Sequence, residues 1–196
     1  MTQSGRRKRH KQVSTLQACA EQAPLRAGHA PASPYNPGME PGEFDEGAFF
    51  KAVERSGARA LLIGRRALVV LGLPLLTADY DFWLHIDDIE RLNTAVTPFG
   101  LAPSRVPEDA RRRGRYALEN DEHVDVLVAR GVPASGGVEV RFDDTWSRRQ
   151  VVEFGEDVRV HLPSLDDLIL TKQFRQRPRD LEDIRLLEAL RDGGAR

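Results

Sequence analysis

Thr77-Ala78-Asp79-Tyr80-Asp81-Phe82-Trp83-Leu84 sets two aspartates two positions apart in an otherwise apolar segment. Side chains of a strand alternate in direction, so Asp79 and Asp81 project from one face while Tyr80 and Phe82 project from the other. Adjacent carboxylates repel unless a cation lies between them. A hard divalent ion, held by paired aspartates and by substrate phosphates, is what phosphoryl and nucleotidyl transfer require. Just upstream, Leu61-Leu62-Ile63-Gly64-Arg65-Arg66 reads as an apolar strand ending in a glycine turn and a short helix.

Working outward, Phe49, Phe50 and Val53 suit a helix closed by Gly57, Ala60 to Ile63 a buried strand, and Arg65 to Leu71 a short helix with Gly72 at its end. Residues 77 to 86 form the Asp-bearing strand. Asp87 then reads as an N-cap with Glu90 at the capping-box position, and Ile89, Leu92 and Val96 as a buried stripe. The stretch from Ala102 to Gly114 is polar and shows no clear period. Tyr116 to Leu118, Val124 to Val128 and Val158 to Leu162 read as strands, with weaker candidates at Val138 to Phe142 and Val151 to Phe154. Ser164 caps a helix with Asp167 as its partner, and Leu165, Leu168 and Ile169 face inward. A last helix runs from about Pro178 to Leu190, burying Leu181, Ile184, Leu187 and Leu190.

Size and composition bound the reading. With 196 residues, 40% hydrophobic and 30% charged, the chain is long enough for one domain with a real core. We expect that domain over residues 41–196, after a disordered tail over residues 1–40 that begins Arg6-Arg7-Lys8-Arg9-His10-Lys11 and becomes rich in Ala, Pro and Gly. A net charge of −1 gives no global attraction to nucleic acid, so RNA contact falls to local basic runs such as this one. The single cysteine, Cys19, excludes an internal disulfide and has no base beside it in sequence. No apolar run reaches membrane-spanning length and none follows the basic N-terminus as a signal peptide would, so a cytoplasmic location and no membrane partner are expected.

A second acidic strand completes the pattern. His123-Val124-Asp125-Val126-Leu127-Val128 places one aspartate among apolar neighbours, which is costly if it is buried without a partner. Beside the first strand, Asp125 makes a three-carboxylate set with Asp79 and Asp81. His85, His123 and His161 lack metal-ligand spacing and read as structural. Arg111-Arg112-Arg113 reads as a solvated run, and Trp83 and Trp146 as packing residues.

The order Ile63-Gly64-Arg65, Gly72-Leu73-Pro74, Thr77-Ala78-Asp79-Tyr80-Asp81 and Val124-Asp125-Val126 resembles the polymerase-beta-type nucleotidyltransferase superfamily. Further on, Leu162 to Lys172 followed by Arg177-Pro178-Arg179-Asp180-Leu181-Glu182-Asp183-Ile184 is similar to its minimal members related to abortive-infection (AbiEii-like) toxins. The resemblance spans roughly residues 45 to 190. It implies an α/β nucleotidyltransferase fold, a mixed twisted sheet flanked by helices with a helical C-terminal segment. It also implies transfer of a nucleoside monophosphate from a nucleoside triphosphate, ATP among them, to a hydroxyl of RNA, protein or a small molecule. Asp79, Asp81 and Asp125 would hold Mg2+ or Mn2+, and Asp125 would help activate the acceptor. Gly64 would admit the triphosphate to backbone amides, Lys172 would contact phosphate, and Asp180 would support Lys172 or the acceptor. A toxin-type member implies a cognate antitoxin partner. Arg65 stands where the family has a second small residue, and Leu75 where that branch often has arginine. Arg65 is therefore either an obstruction or a replacement phosphate contact, and the rival reading is a catalytically silent module that binds nucleotide, RNA or a partner protein.

Overall fold

The structure is a computed structural model that describes residues 44–173 and 177–193. The expected tail over residues 1–40 lies outside the described residues. Helix α1 (Glu46–Arg55) begins where the Asp45 carboxylate accepts a hydrogen bond of 2.8 Å from the Ala48 amide. Its buried face carries Phe49, Phe50 and Val53. Strand β1 (Ala60–Ile63) follows and turns at Gly64 directly into α2 (Gly64–Val70). Strand β2 (Tyr80–Leu84) then leads to α3 (Ile89–Val96), a two-residue β3 (Ala102–Pro103), α4 (Pro107–Arg113), β4 (Arg115–Glu119) and β5 (His123–Leu127).

These strands form one sheet in the order β1-β2-β5-β4-β3. Pairing is antiparallel except between β2 and β5, which run parallel. A hairpin of β6 (Gly131–Pro133) and β7 (Glu139–Arg141) precedes α5 (Phe142–Ser147), and a second hairpin joins β8 (Gln150–Glu153) to β9 (Arg159–Leu162). Two helices end the described chain, α6 (Leu165–Lys172) and α7 (Pro178–Gly193), and α7 packs on α6 and touches α2. The mixed sheet flanked by helices is the expected α/β architecture.

Alternation along the strands divides the core in two. Tyr80, Phe82, Val124 and Val126 point into a large cluster with Phe49, Phe50, Leu92 and Leu168. Leu61 and Trp83 point to the opposite side and pack with Ala134, Val140 and Phe142. There the rings of Trp83 and Phe142 meet edge-on at 5.4 Å, and the Trp83 indole N–H donates to the Ala129 carbonyl at 2.7 Å.

Several local expectations change. The Asp-bearing strand is shorter than residues 77 to 86, and Asp79 sits on its lead-in. The residue at the start of α3 is Asp88 rather than Asp87, and it makes no side-chain cap. Asp88 is 1% exposed, and its carboxylate accepts from the Arg59 side chain at 2.7 Å and the Arg59 amide at 3.1 Å. A buried carboxylate takes a charged donor ahead of a neutral amide because the charge-assisted bond is the stronger one. Glu90, expected to complete the capping box, instead accepts from Arg111 at 2.7 Å through both oxygens. The aperiodic stretch contains α4, invisible to periodicity because Ala110 is its one buried side chain. On α7, Leu181 is 43% exposed, while Asp180 and Asp183 are 4% and 1% exposed. The helix turns its carboxylates inward because cations await them there.

Candidate functional site

The site begins at the β1–α2 turn. Gly64 has φ +66°, and a Cβ at this position would fall inside the Asp81 carboxylate. Glycine is therefore required both for the backbone conformation and for the close approach. Asp81 stands on β2 opposite Ile63 of β1 on one side and opposite Asp125 of parallel β5 on the other. The glycine turn, Asp81 and Asp125 thus form a lateral row across three strands. Asp79 lies just before β2 and is exposed.

The row is electrostatically loaded. The Asp81 carboxyl is pushed up from its ordinary range, first by burial and then by the charges of Asp125 and Asp79, against the opposing pull of Lys172 and Arg179. Charge of one sign gathers here, with cations at its margin. Among the described residues, no three carboxylate, imidazole or thiol side chains already form a metal cage. The donor chemistry nevertheless fits Mg2+ or Mn2+: hard carboxylate oxygens whose repulsion raises Asp81 and which a divalent cation would relieve. His123, which the spacing argument had set aside, lies on the same strand with Nε2 at 3.5 Å from Asp125 and Nδ1 at 3.6 Å from Glu119.

The C-terminal helices supply the margin. The Lys172 Nζ donates to Asp183 Oδ2 at 2.8 Å, and Arg65 Nε donates to Asp183 Oδ1 at 3.0 Å. A second Arg65 nitrogen donates to Glu182 at 2.6 Å. The carboxylate bonded to Lys172 is thus Asp183, while Asp180, expected to support Lys172 or the acceptor, feels the Lys172 charge without a hydrogen bond to it. Asp180 accepts instead from Arg177, at 2.8 Å and 3.1 Å from the guanidinium, and that bond holds its carboxyl below the usual range despite burial. Arg65 does not stand free, because two α7 carboxylates engage it. Beyond its place in the C-terminal motif, nothing in the sequence singles out Asp183 except the spacing of two acids three apart, which puts both on one helix face.

A cleft of about 390 Å³ opens beside Gly64 and is lined by Trp83, Leu127, Leu168, Lys172, Arg177 and Asp180 among others. Trp83 and Leu127 face each other two residue pairs beyond Asp81–Asp125, on the same face of the sheet. The cleft lining therefore combines apolar side chains with the charged groups of Lys172, Arg177 and Asp180, as small-molecule sites commonly do. A more open groove of about 500 Å³ along Pro133 to Glu139 has Glu139 as its one ionisable lining residue and lacks convergent charge.

Comparison with known proteins bears on fold and family. Residues 134–191 match the family model described as nucleotidyltransferase of unknown function (DUF6036). No curated protein matches the chain in sequence. Among solved structures, the lincosamide antibiotic adenylyltransferase LnuA with lincomycin bound is 14% identical, with a TM-score of 0.53 over 74% of this chain and 98% of that one. The complex of ANT(2")-Ia with adenylyl-2"-tobramycin is 15% identical, with a TM-score of 0.49 over 74% and 92%. The LnuA match and the strand order together show that this chain has the nucleotidyltransferase fold, with a C-terminal stretch that matches the DUF6036 nucleotidyltransferase model.

Proposed function

We propose that the protein transfers a nucleoside monophosphate from a nucleoside triphosphate to an acceptor hydroxyl, releasing pyrophosphate. The observation that carries this reading is the row of Gly64, Asp81 and Asp125, in which one aspartate lies against a glycine turn and a second lies beside it on a parallel strand. Asp79, Asp81 and Asp125 would hold Mg2+ or Mn2+, which when bound neutralises the triphosphate and the charge developing at phosphorus. Gly64 lets backbone approach the phosphates. Lys172 and Arg179 act on Asp81 from the margin and would meet phosphate oxygens, and among the described residues Arg179 has no ion-pair partner. The acceptor oxygen forms its bond to the α-phosphorus as the bond to pyrophosphate breaks. Its proton passes to Asp125, with His123 Nε2 3.5 Å away.

The motif order supports a toxin-type enzyme with a cognate antitoxin. LnuA is an adenylyltransferase seen with lincomycin, so a small molecule is the first acceptor class to test and ATP the first donor, ahead of RNA and protein. The experiment is incubation of the parent and Asp81→Asn with each labelled triphosphate, Mg2+ and a cell extract. Label in a small molecule, RNA or protein with the parent alone supports the proposal. Binding of nucleotide or a partner without transfer from any triphosphate would instead identify a silent module.

A further inference from the structure

Arg65 and Asp183 are 118 residues apart in sequence and 3.0 Å apart in space. Asp183 is the centre of a three-helix junction: α2 reaches it through Arg65, α6 through Lys172, and α7 carries it. Its side chain is 2% exposed, with Arg65 and Lys172 at 16% and 12%. Two cations so close repel unless the carboxylate stays between them. Each Asp183 oxygen receives one of them, so the anion fixes Arg65 and Lys172 relative to each other. Arg65 immediately follows Gly64, and the same contact therefore fixes the turn relative to Lys172.

Resting on the nucleotidyl-transfer reading, we propose that Asp183 is a positioning residue for the donor nucleotide. Through Arg65 it sets the Gly64 turn, and through Lys172 it sets a phosphate-contacting cation, so both reach the triphosphate as one rigid unit. This gives Arg65 a place in a chain whose family pattern has a small residue there. It is the tether that joins the turn to the C-terminal helix. Pre-arranged groups bind without the ordering cost that loose ones carry, and the tether therefore belongs to nucleotide affinity as well as to folding.

The test is a double-mutant cycle of Arg65→Ala and Asp183→Asn, read in affinity for ATP with Mg2+ well below the melting temperature, alongside melting temperatures of all four proteins. Each single change should weaken binding on the order of tenfold, and the double should be no weaker than the worse single, because both remove one device. Arg65→Lys, which keeps the charge, should recover part of the affinity. Arg191→Ala, at an exposed pair with Asp166 and Asp192, should bind as the parent does. Lowered melting temperatures with unchanged affinity in both single variants would overturn the proposal and leave the proposed transfer intact. If Asp183→Asn fails to fold, Arg65→Ala and Arg65→Lys decide alone. A parent that binds no triphosphate overturns both readings.

Discussion

The two faces of the central sheet are built from alternate residues of the same strands, yet they meet opposite conditions. On one face Tyr80 and Phe82 of β2 lie among phenylalanines, and the Phe49 ring centroid sits between 5.2 and 6.0 Å from those of Phe44, Phe50, Tyr80, Phe82 and Phe99. On the other face, one residue along, Asp81 faces Asp125 and is pushed up by burial and by its acidic neighbours. One face is given over to packing, and the other combines a smaller apolar cluster around Trp83 with a repulsion that packing must offset. Stability and chemistry are thus separated by a single step along β2, because strand side chains alternate.

The sharpest way to break this contrast is Phe49→Ala. Phe49 is fully buried, and truncating such a ring costs about 3–5 kcal/mol of folding stability. Urea unfolding measures it, and a loss below about 1 kcal/mol would show that the aromatic face is not the main source of stability.

Gly64→Ala comes next. It forces a side chain into φ +66° and into the Asp81 carboxylate, so it should cost about 2–3 kcal/mol and abolish transfer. Gly72→Ala is the control: its φ is +87° with nothing within 4 Å of the added carbon, so it carries strain without collision. Equal effects of the two on transfer would remove the close approach from the argument.

Asp88→Asn should cost about 1–3 kcal/mol by replacing the charged acceptor of Arg59 with a neutral amide. Burial alone would raise the Asp88 carboxyl, but the Arg59 hydrogen bonds outweigh burial and hold it below the ordinary value. A carboxyl lowered on folding contributes stability that is fully present above the unfolded value near pH 3.9, and that contribution drains away as pH falls through the lower folded value. The variant should therefore lose stability at neutral pH and show a shallower decline below about pH 4. An unchanged acid limb contradicts the Asp88–Arg59 pairing.

The smallest effect belongs to Asp81→Asn without metal. A carboxyl raised on folding favours the folded state only while protonated, and that advantage is lost as pH rises through the folded value. At neutral pH the charged Asp81 opposes folding, so the amide should leave the melting temperature unchanged or raise it. Added Mg2+ should raise the melting temperature of the parent and not of the variant. The reverse pattern would place the metal elsewhere.

What could be read beforehand was local. The strand Ala60–Ile63, the glycine turn and the Ser164 cap, whose hydroxyl accepts from the Asp167 amide, announce themselves within a few residues. The Asp81–Asp125 juxtaposition needed only a guess at strand adjacency. The pairings of Asp88 with Arg59 and of Asp183 with Arg65 span 29 and 118 residues, and no local periodicity encodes them. They also reversed two local readings, the cap at Asp87 and the buried Leu181, because a buried carboxylate follows its cation rather than the helix stripe.

The two-residue strand β3 marks where growth of the sheet stops. It is the last strand on that side, and one of its residues, Pro103, has no N–H to offer. A second copy approaching that edge finds two residues of template and one missing donor, too little to add a strand. At the far side β9 packs beside β1. Concentrated samples should therefore resist strand addition at the β3 edge of this sheet.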